Sequence, residues 1–183
     1  LSDTLYRWDN EYGTLETPVS NFRASQYLVS NREFLDFVEA GGYGQREYWD
    51  DEGWGWAQHS GAQHPTFWLH ESGDYRYRTM TREIPMPWNW PVDVNALEAA
   101  AFCRWKAKAT GNAVRLPTEA EWLCLREEIA EDQPTWSRAP GNINLEHGAS
   151  ACPVDRFATQ CSSGETFYDI IGNVWQWTQT AID

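Results

Sequence analysis

Long apolar runs are missing from this sequence, so no segment is expected to cross a bilayer. Basic residues are scarce as well: 14 Lys+Arg stand against 27 Asp+Glu, a net charge of −13. Nucleic-acid binding draws its affinity from a basic stripe that displaces counterions, and no such stripe is present. An anionic membrane surface is disfavoured for the same reason. The four cysteines, Cys103, Cys124, Cys152 and Cys161, have neither a CxxC pair nor another zinc spacing, and they are few for a disulfide-built scaffold of 183 residues. Reduced thiols and a cytoplasmic location are the expectation. The opening Leu1-Ser2-Asp3-Thr4 lacks an initiator methionine, a basic leader and an apolar h-region, so it reads as a fragment boundary and not as a signal peptide.

What the sequence has in excess is tryptophan, with 12 from Trp8 to Trp177. Large amphipathic rings let a loop-rich chain close around a core without long regular elements. Three short helices are expected. Ser30-Asn31-Arg32-Glu33 carries a hydroxyl at the cap and a carboxylate three residues on, followed by Phe34, Phe37 and Val38, with Gly41-Gly42 as the stop. Asn95-Ala96-Leu97-Glu98 opens a second, with Leu97, Ala101, Phe102 and Trp105 on its apolar face and Gly111 at its end. Thr118-Glu119-Ala120-Glu121 opens a third, with Trp122 and Leu125 as its buried positions. Strands are expected over 22–29, 75–80 and 174–178, on branched and aromatic content. The aromatic pairs Trp88/Trp90 and Trp175/Trp177 are expected to build the core. Residues 41–74 and 132–166 are rich in Gly, Pro, Asp and His and read as long connections. The fold class is therefore α+β with little regular secondary structure.

Three blocks add a resemblance. They are Pro91-Val92-Asp93-Val94-Asn95 with Phe102-Cys103-Arg104-Trp105, then Arg115-Leu116-Pro117-Thr118-Glu119-Ala120-Glu121-Trp122, then Asp169-Ile170-Ile171-Gly172-Asn173-Val174-Trp175-Gln176-Trp177. In this order they resemble the formylglycine-generating-enzyme, or sulfatase-modifying-factor, family, which implies a C-type-lectin-like fold over 1–183, incomplete at its C-terminus. Trp8-Asp9-Asn10-Glu11, Gly41-Gly42-Tyr43 with Trp49, and Gly53-Trp54 are similar to the sulfoxide synthases of ergothioneine and ovothiol biosynthesis. Pro87-Trp88-Asn89-Trp90-Pro91-Val92, Gly141-Asn142-Ile143-Asn144-Leu145-Glu146 and Cys152-Pro153-Val154-Asp155 lean towards 5-histidylcysteine sulfoxide synthase, the ovothiol enzyme. The resemblance implies a parent oxidoreductase with a DinB-like helical domain upstream and the rest of this domain downstream. Its non-haem Fe(II), on histidines outside this chain, uses O2 to join cysteine to an imidazole carbon of histidine as a sulfoxide. An ergothioneine-type synthase, which takes trimethylated histidine, and a non-catalytic lectin-like binding module are the rival readings.

On this reading the chain supplies a wall of the substrate site and no catalytic residue. In a strand, Tyr75-Arg76-Tyr77-Arg78 puts Arg76 and Arg78 on one face. They are either a clamp for substrate carboxylates or partners of nearby acids on an acidic chain. The resemblance also implies a structural Ca2+ site on Asp169, Gly172, Val174 and Gln176, with Gln176 standing where relatives have an acid, and more loosely a second at Asn142 and Ile143. His59, His64 and His70 near Asp74, and His147, fit no ligand spacing and read as loop histidines. The cysteines read as unreactive thiols, with Cys103 and Cys124 buried in helices.

Overall fold

The structure, a computed structural model, describes residues 16–129, 141–143, 148 and 150–181. Trp8-Asp9-Asn10-Glu11, Trp136, Asn144-Leu145-Glu146 and His147 lie outside the described residues.

Helix α1, Asn31–Glu39, starts as its cap signature requires: the Ser30 hydroxyl accepts from the Glu33 N–H at 3.2 Å. The reciprocal half of the box gives way to a longer-range contact, because the Glu33 carboxylate pairs with Lys106 at 3.0 Å. Asn31 is fully buried and ties three segments together. Its amide nitrogen donates to Pro87 O, its oxygen accepts from the Trp68 indole N–H, and its backbone N–H donates to Trp90 O. Past the helix, Gly42 is packed against the Phe37 ring so closely that a Cβ there would lie 2.1 Å from a ring carbon. Only glycine fits.

Helix α2, Asp51–Ser60, occupies a stretch read above as a connection. Gly53 and Gly55 weaken its helical pattern, while its cues are at its ends. Asp50 caps Gly53 N–H at 2.8 Å, Asp51 and Glu52 fill the first turn, and Gly61 closes it in the left-handed region at φ 63°. Helix α3, Ala96–Thr110, has both halves of its capping box and ends at Gly111, as its signature implies. Phe34 and Phe37 from α1, Trp49, and Ala101 and Phe102 from α3 meet in one core. Phe34 stacks on Phe102 at 5.2 Å and meets Phe37 edge-on at 5.3 Å.

Strands β1 (Trp68–Glu71), β2 (Asp74–Arg78) and β3 (Glu83–Pro85) form an antiparallel sheet in that order, with Trp68 opposite Tyr77 and Tyr77 opposite Ile84. Alternation along β2 turns Tyr75 and Tyr77 inward and leaves Arg76 and Arg78 exposed. Trp68, 1% exposed, anchors the sheet by meeting Trp88 edge-on at 5.9 Å.

Helix α4, Glu119–Arg126, again has a complete capping box. Its buried residue is Glu121, while Trp122 and Leu125 are only partly covered and Cys124 is exposed. The cap and ion-pair chemistry of Glu121 turns this first turn inward, and that corrects the reading of Trp122 and Leu125 as buried and of Cys124 as a buried thiol. Strands β4 (Ala158–Gln160) and β5 (Thr166–Tyr168) pair as a small hairpin. Tyr168 joins it to the chain start, donating its N–H to Gln26 O and stacking on Tyr27 at 4.7 Å.

Two expected strands do not form. Residues 22–29 form no strand and bend at Gln26 and Tyr27, and the nearest pairing is an isolated bridge between Ser30 and Pro91. Residues 174–178 have branched and aromatic side chains, but among the described residues no strand lies beside them to pair with. Such side chains favour a strand only where a pleated surface receives them. Trp175 is fully exposed and Trp177 is 49% exposed, so this pair is not part of the described core. No described helix is long and apolar enough to cross a membrane.

Candidate functional site

The third sequence block folds into a tight corner. Asp169 and Asn173 both adopt left-handed backbone, at φ 48° and 62°, which short polar side chains tolerate better than most. Gly172, at φ 78°, sits where a Cβ would meet Ile143 Cγ2 at 2.7 Å and Asn142 O at 2.9 Å. Segments 141–143 and 169–174 therefore lie main chain against main chain, and Asn173 N–H donates to Asn142 O at 2.9 Å.

Asn173 is the link that sequence reasoning missed. Its side-chain oxygen accepts from Cys152 N–H at 2.8 Å, and its amide nitrogen donates to Cys152 O at 3.0 Å and to Asp169 Oδ2 at 2.9 Å. The Gly-Asn dipeptide was the available signal, since it favours left-handed turns. Asp169 is 1% exposed, and among the described residues its Oδ1 has no hydrogen-bond partner. Burial pushes its carboxyl up to about 6, against the opposing pull of the Asn173 hydrogen bond.

The implied calcium ligands converge only in part. Asp169 and Gln176 do meet, but Gln176 Nε2 donates to the Asp169 carbonyl at 2.8 Å and to the Ile170 carbonyl at 3.2 Å. Gly172 O accepts from Val174 N–H at 2.9 Å. The four residues bring one formal charge, and an amide N–H faces two of the corner's oxygens. That is a poor match for a hard cation seeking six to eight oxygens. At the looser second position, Asn142 spends its amide on Ser150 O at 3.0 Å.

Beside this corner opens a cavity of about 410 Å³, lined among others by Asp93, Val94, Asn142, Asn173, Trp175 and Trp177. Asp93 was not singled out by its sequence context. Burial raises its carboxyl, and its charge adds to the burial that pushes Tyr77 up to about 12. Trp177 is held at the rim by donating its indole N–H to Val94 O at 2.8 Å.

Arg76 and Arg78 share the outer face of β2 but line neither this cavity nor the second one, which Tyr43, His64, His70 and Tyr75 help to form. Arg76 lies 3.9 Å from the Glu83 carboxylate, and Arg78 stands over the Phe67 ring at 5.9 Å. His59 is exposed on α2, while His70 stacks on Tyr75 at 4.4 Å and His64 meets the same ring edge-on. Among the described residues no group of three His, Cys, Asp or Glu could hold a metal ion, so an iron centre does not fit them. All four cysteines are free, and burial pushes the Cys103 thiol up to about 11.

Residues 4–183 match the model of the sulfatase-modifying factor enzyme 1-like domain. Hercynine oxygenase of Mycolicibacterium thermoresistibile is 30% identical over 197 residues, covering 100% of this chain and 41% of that protein. Formylglycine-generating enzyme of Thermomonospora curvata is 28% identical, covering 92% of this chain and 63% of the relative. Ergothioneine biosynthesis protein 1 of Schizosaccharomyces pombe is 26% identical, covering 97% of this chain and 20% of the relative. The chain thus spans less than two thirds of each of these proteins.

Proposed function

Because the chain belongs to the sulfatase-modifying-factor family, on the branch related to sulfoxide synthases, we propose that it is the substrate-site wall of an ovothiol-type sulfoxide synthase. The parent joins cysteine to histidine: a thiol S–H and an imidazole C–H are lost, one O2 oxygen ends on sulfur as the sulfoxide, and the other leaves as water. Fe(II), held by histidines of an upstream DinB-like domain, supplies the O2 activation, and the rest of a C-type-lectin-like domain follows this chain. The parent works in the cytoplasm on small molecules, without nucleic acid or membrane.

One adjacency carries the reading. Two of the segments that lean towards the ovothiol enzyme, Pro87-Trp88-Asn89-Trp90 and Cys152-Pro153-Val154-Asp155, touch each other, with Val154 N–H donating to Asn89 O at 2.9 Å. Both lie close to residues that line the cavity of Asp93 and Trp177, since Val92 comes two residues after Trp90 and Ala151 precedes Cys152. Segments distant in sequence thus meet beside one concave surface, as the support of a substrate wall requires.

The test is turnover by the full-length parent with Fe(II) and O2. Cysteine with histidine is expected to yield the sulfoxide at an imidazole carbon. A parent that ignores histidine and accepts only its trimethylated form would keep the chemistry and move the protein to the ergothioneine branch. Arg76 and Arg78 lie outside the cavity of Asp93 and Trp177, so Arg76→Ala and Arg78→Ala test the carboxylate clamp separately: a raised KM with kcat spared supports it, and unchanged kinetics leave the pair to Glu83 and Phe67.

A further inference from the structure

The cavity beside the corner offers one carboxylate with nothing to bind. We propose that Asp93 is the subsite for the primary α-ammonium group of the imidazole-bearing substrate, with the Trp177 ring as its aromatic wall. The inference rests on the amino-acid substrates of the proposed reaction and adds the residue that tells histidine from its trimethylated form.

Most polar side chains around the cavity are committed to the protein itself. The Asn173 amide is spent on Cys152 and Asp169. Asn142 Nδ2 donates to Ser150 O, and Ser150 Oγ donates to Ala151 O at 3.3 Å. The Trp177 indole N–H is taken by Val94 O. Asp93 differs: among the described residues its carboxylate has neither a hydrogen bond nor an ion pair. Of the described residues that line the cavity it alone carries a charge. Its charge is felt at Tyr77 and Glu98, neither of them a cation. The remaining free surface there is aromatic, from Trp175 and Trp177. A concave site with an unpaired anion and indole faces accepts a cation, because both attract positive charge.

A primary ammonium uses both features. Its N–H groups donate to the carboxylate, and such charge-assisted bonds are roughly twice as strong as neutral ones. A flat imidazole then lies against Trp177, whose ring is fixed by its bond to Val94, the residue next to Asp93. Trimethylation keeps the positive charge and removes every N–H. Attraction to the indoles survives that change, whereas the hydrogen bonds to Asp93 do not. Sites built to hydrogen-bond a substrate group discriminate against analogues that lack it, since their own polar atom is left unpaired.

Calorimetric titration of the full-length, iron-loaded protein, kept free of O2, tests the proposal. The ligands are histidine, trimethylated histidine and imidazole-lactate, which has a hydroxyl in place of the ammonium. Wild type is expected to bind histidine most tightly of these. Asp93→Asn is expected to weaken histidine binding about tenfold or more, to leave imidazole-lactate no weaker, and to narrow the gap between histidine and its trimethylated form. Asp93→Glu, which restores a carboxylate, is expected to recover part of the lost affinity, a rescue that a folding defect does not give. The proposal is overturned by unchanged histidine affinity in Asp93→Asn, or by a wild type that shows no saturable histidine binding. It is equally overturned if wild type binds either analogue as tightly as histidine. Sulfoxide formation with histidine affinity indifferent to Asp93 sinks this inference and keeps the proposed reaction. Asp93-dependent histidine binding without sulfoxide formation does the reverse.

Discussion

Tyr43 and Glu98 meet in the core through a hydrogen bond of 2.5 Å, the tyrosine hydroxyl donating to Oε1 of a carboxylate that is 2% exposed. The other oxygen, Oε2, accepts from Asn95 N–H at 2.9 Å and completes the capping box of α3. One buried side chain therefore starts a helix and fixes the loop after α1. Burial raises the Glu98 carboxyl above its usual range and raises the Tyr43 hydroxyl as well.

Tyr43→Phe leaves Glu98 Oε1 buried without its donor. An unsatisfied buried polar group typically costs about 1–3 kcal/mol. Urea melts of the 183-residue chain are expected to show a loss in that range. A loss under a few tenths of a kcal/mol would mean that water replaces the hydroxyl.

Glu121 serves α4 in the same way but with a different titration. Arg115 grips both of its oxygens at 2.7 and 2.6 Å, and Thr118 N–H donates to it at 2.8 Å, holding the carboxyl down to about 2. A carboxyl depressed on folding stabilises the fold above its unfolded value of 4.5, and that contribution is lost as pH falls from 4.5 towards 2. Glu121→Gln is expected to flatten this limb of a stability–pH curve. An unchanged acid limb would assign the acid sensitivity to other carboxylates.

The two tryptophan environments give opposite expectations. Trp68→Ala empties a buried site and removes the indole hydrogen bond to Asn31, so a loss of about 3–5 kcal/mol is expected. Trp175→Ala in the 183-residue chain touches a fully exposed ring and is expected to shift stability by no more than about 0.5 kcal/mol. Comparing the Trp175 variant in the longer parent reads out whether added sequence covers that ring, because burial there restores a large cost.

Gly172→Ala combines strain with a clash. Left-handed backbone costs an alanine roughly 1–2 kcal/mol. Its Cβ would press on Ile143 Cγ2 and Asn142 O as well. The melting temperature is expected to fall by several degrees; a neutral variant would show that segments 141–143 and 169–174 are not in contact in solution.

Local chemistry was the legible part of the sequence. Ser30, Asn95 and Thr118 each cap the helix their signatures announce, because a cap depends on three or four adjacent residues. Tyr75-Arg76-Tyr77-Arg78 alternates as a strand must, and its partner strands lie within ten residues. Illegible were features that depend on distant neighbours. Residues 174–178 have strand composition without a paired strand among the described residues, and α2 hides behind two glycines while its ends carry the caps. At the candidate site, the third block folds into one corner, which brings Asp169 and Gln176 together but not as a ligand set. The hydrogen bonds from Asn173 to Cys152 cross 21 residues, and only the left-handed turn that aims them has a local signature, the Gly-Asn dipeptide. Cavity-lining Asp93 is likewise brought to Trp177 across the fold.

The Asn173 contact has an evolutionary consequence. Its amide grips the main-chain N–H and carbonyl of residue 152, as a neighbouring strand would, and asks nothing of the side chain there. As far as the Asn173 contact goes, position 152 can drift among small residues that fit its buried space, although its thiol also meets the Asn142 side chain. Position 173 has no such latitude, because only a carboxamide in left-handed backbone presents a donor and an acceptor to the main chain of one residue at once. Selection on this corner should therefore fall on the residue that does the holding and spare the one that is held.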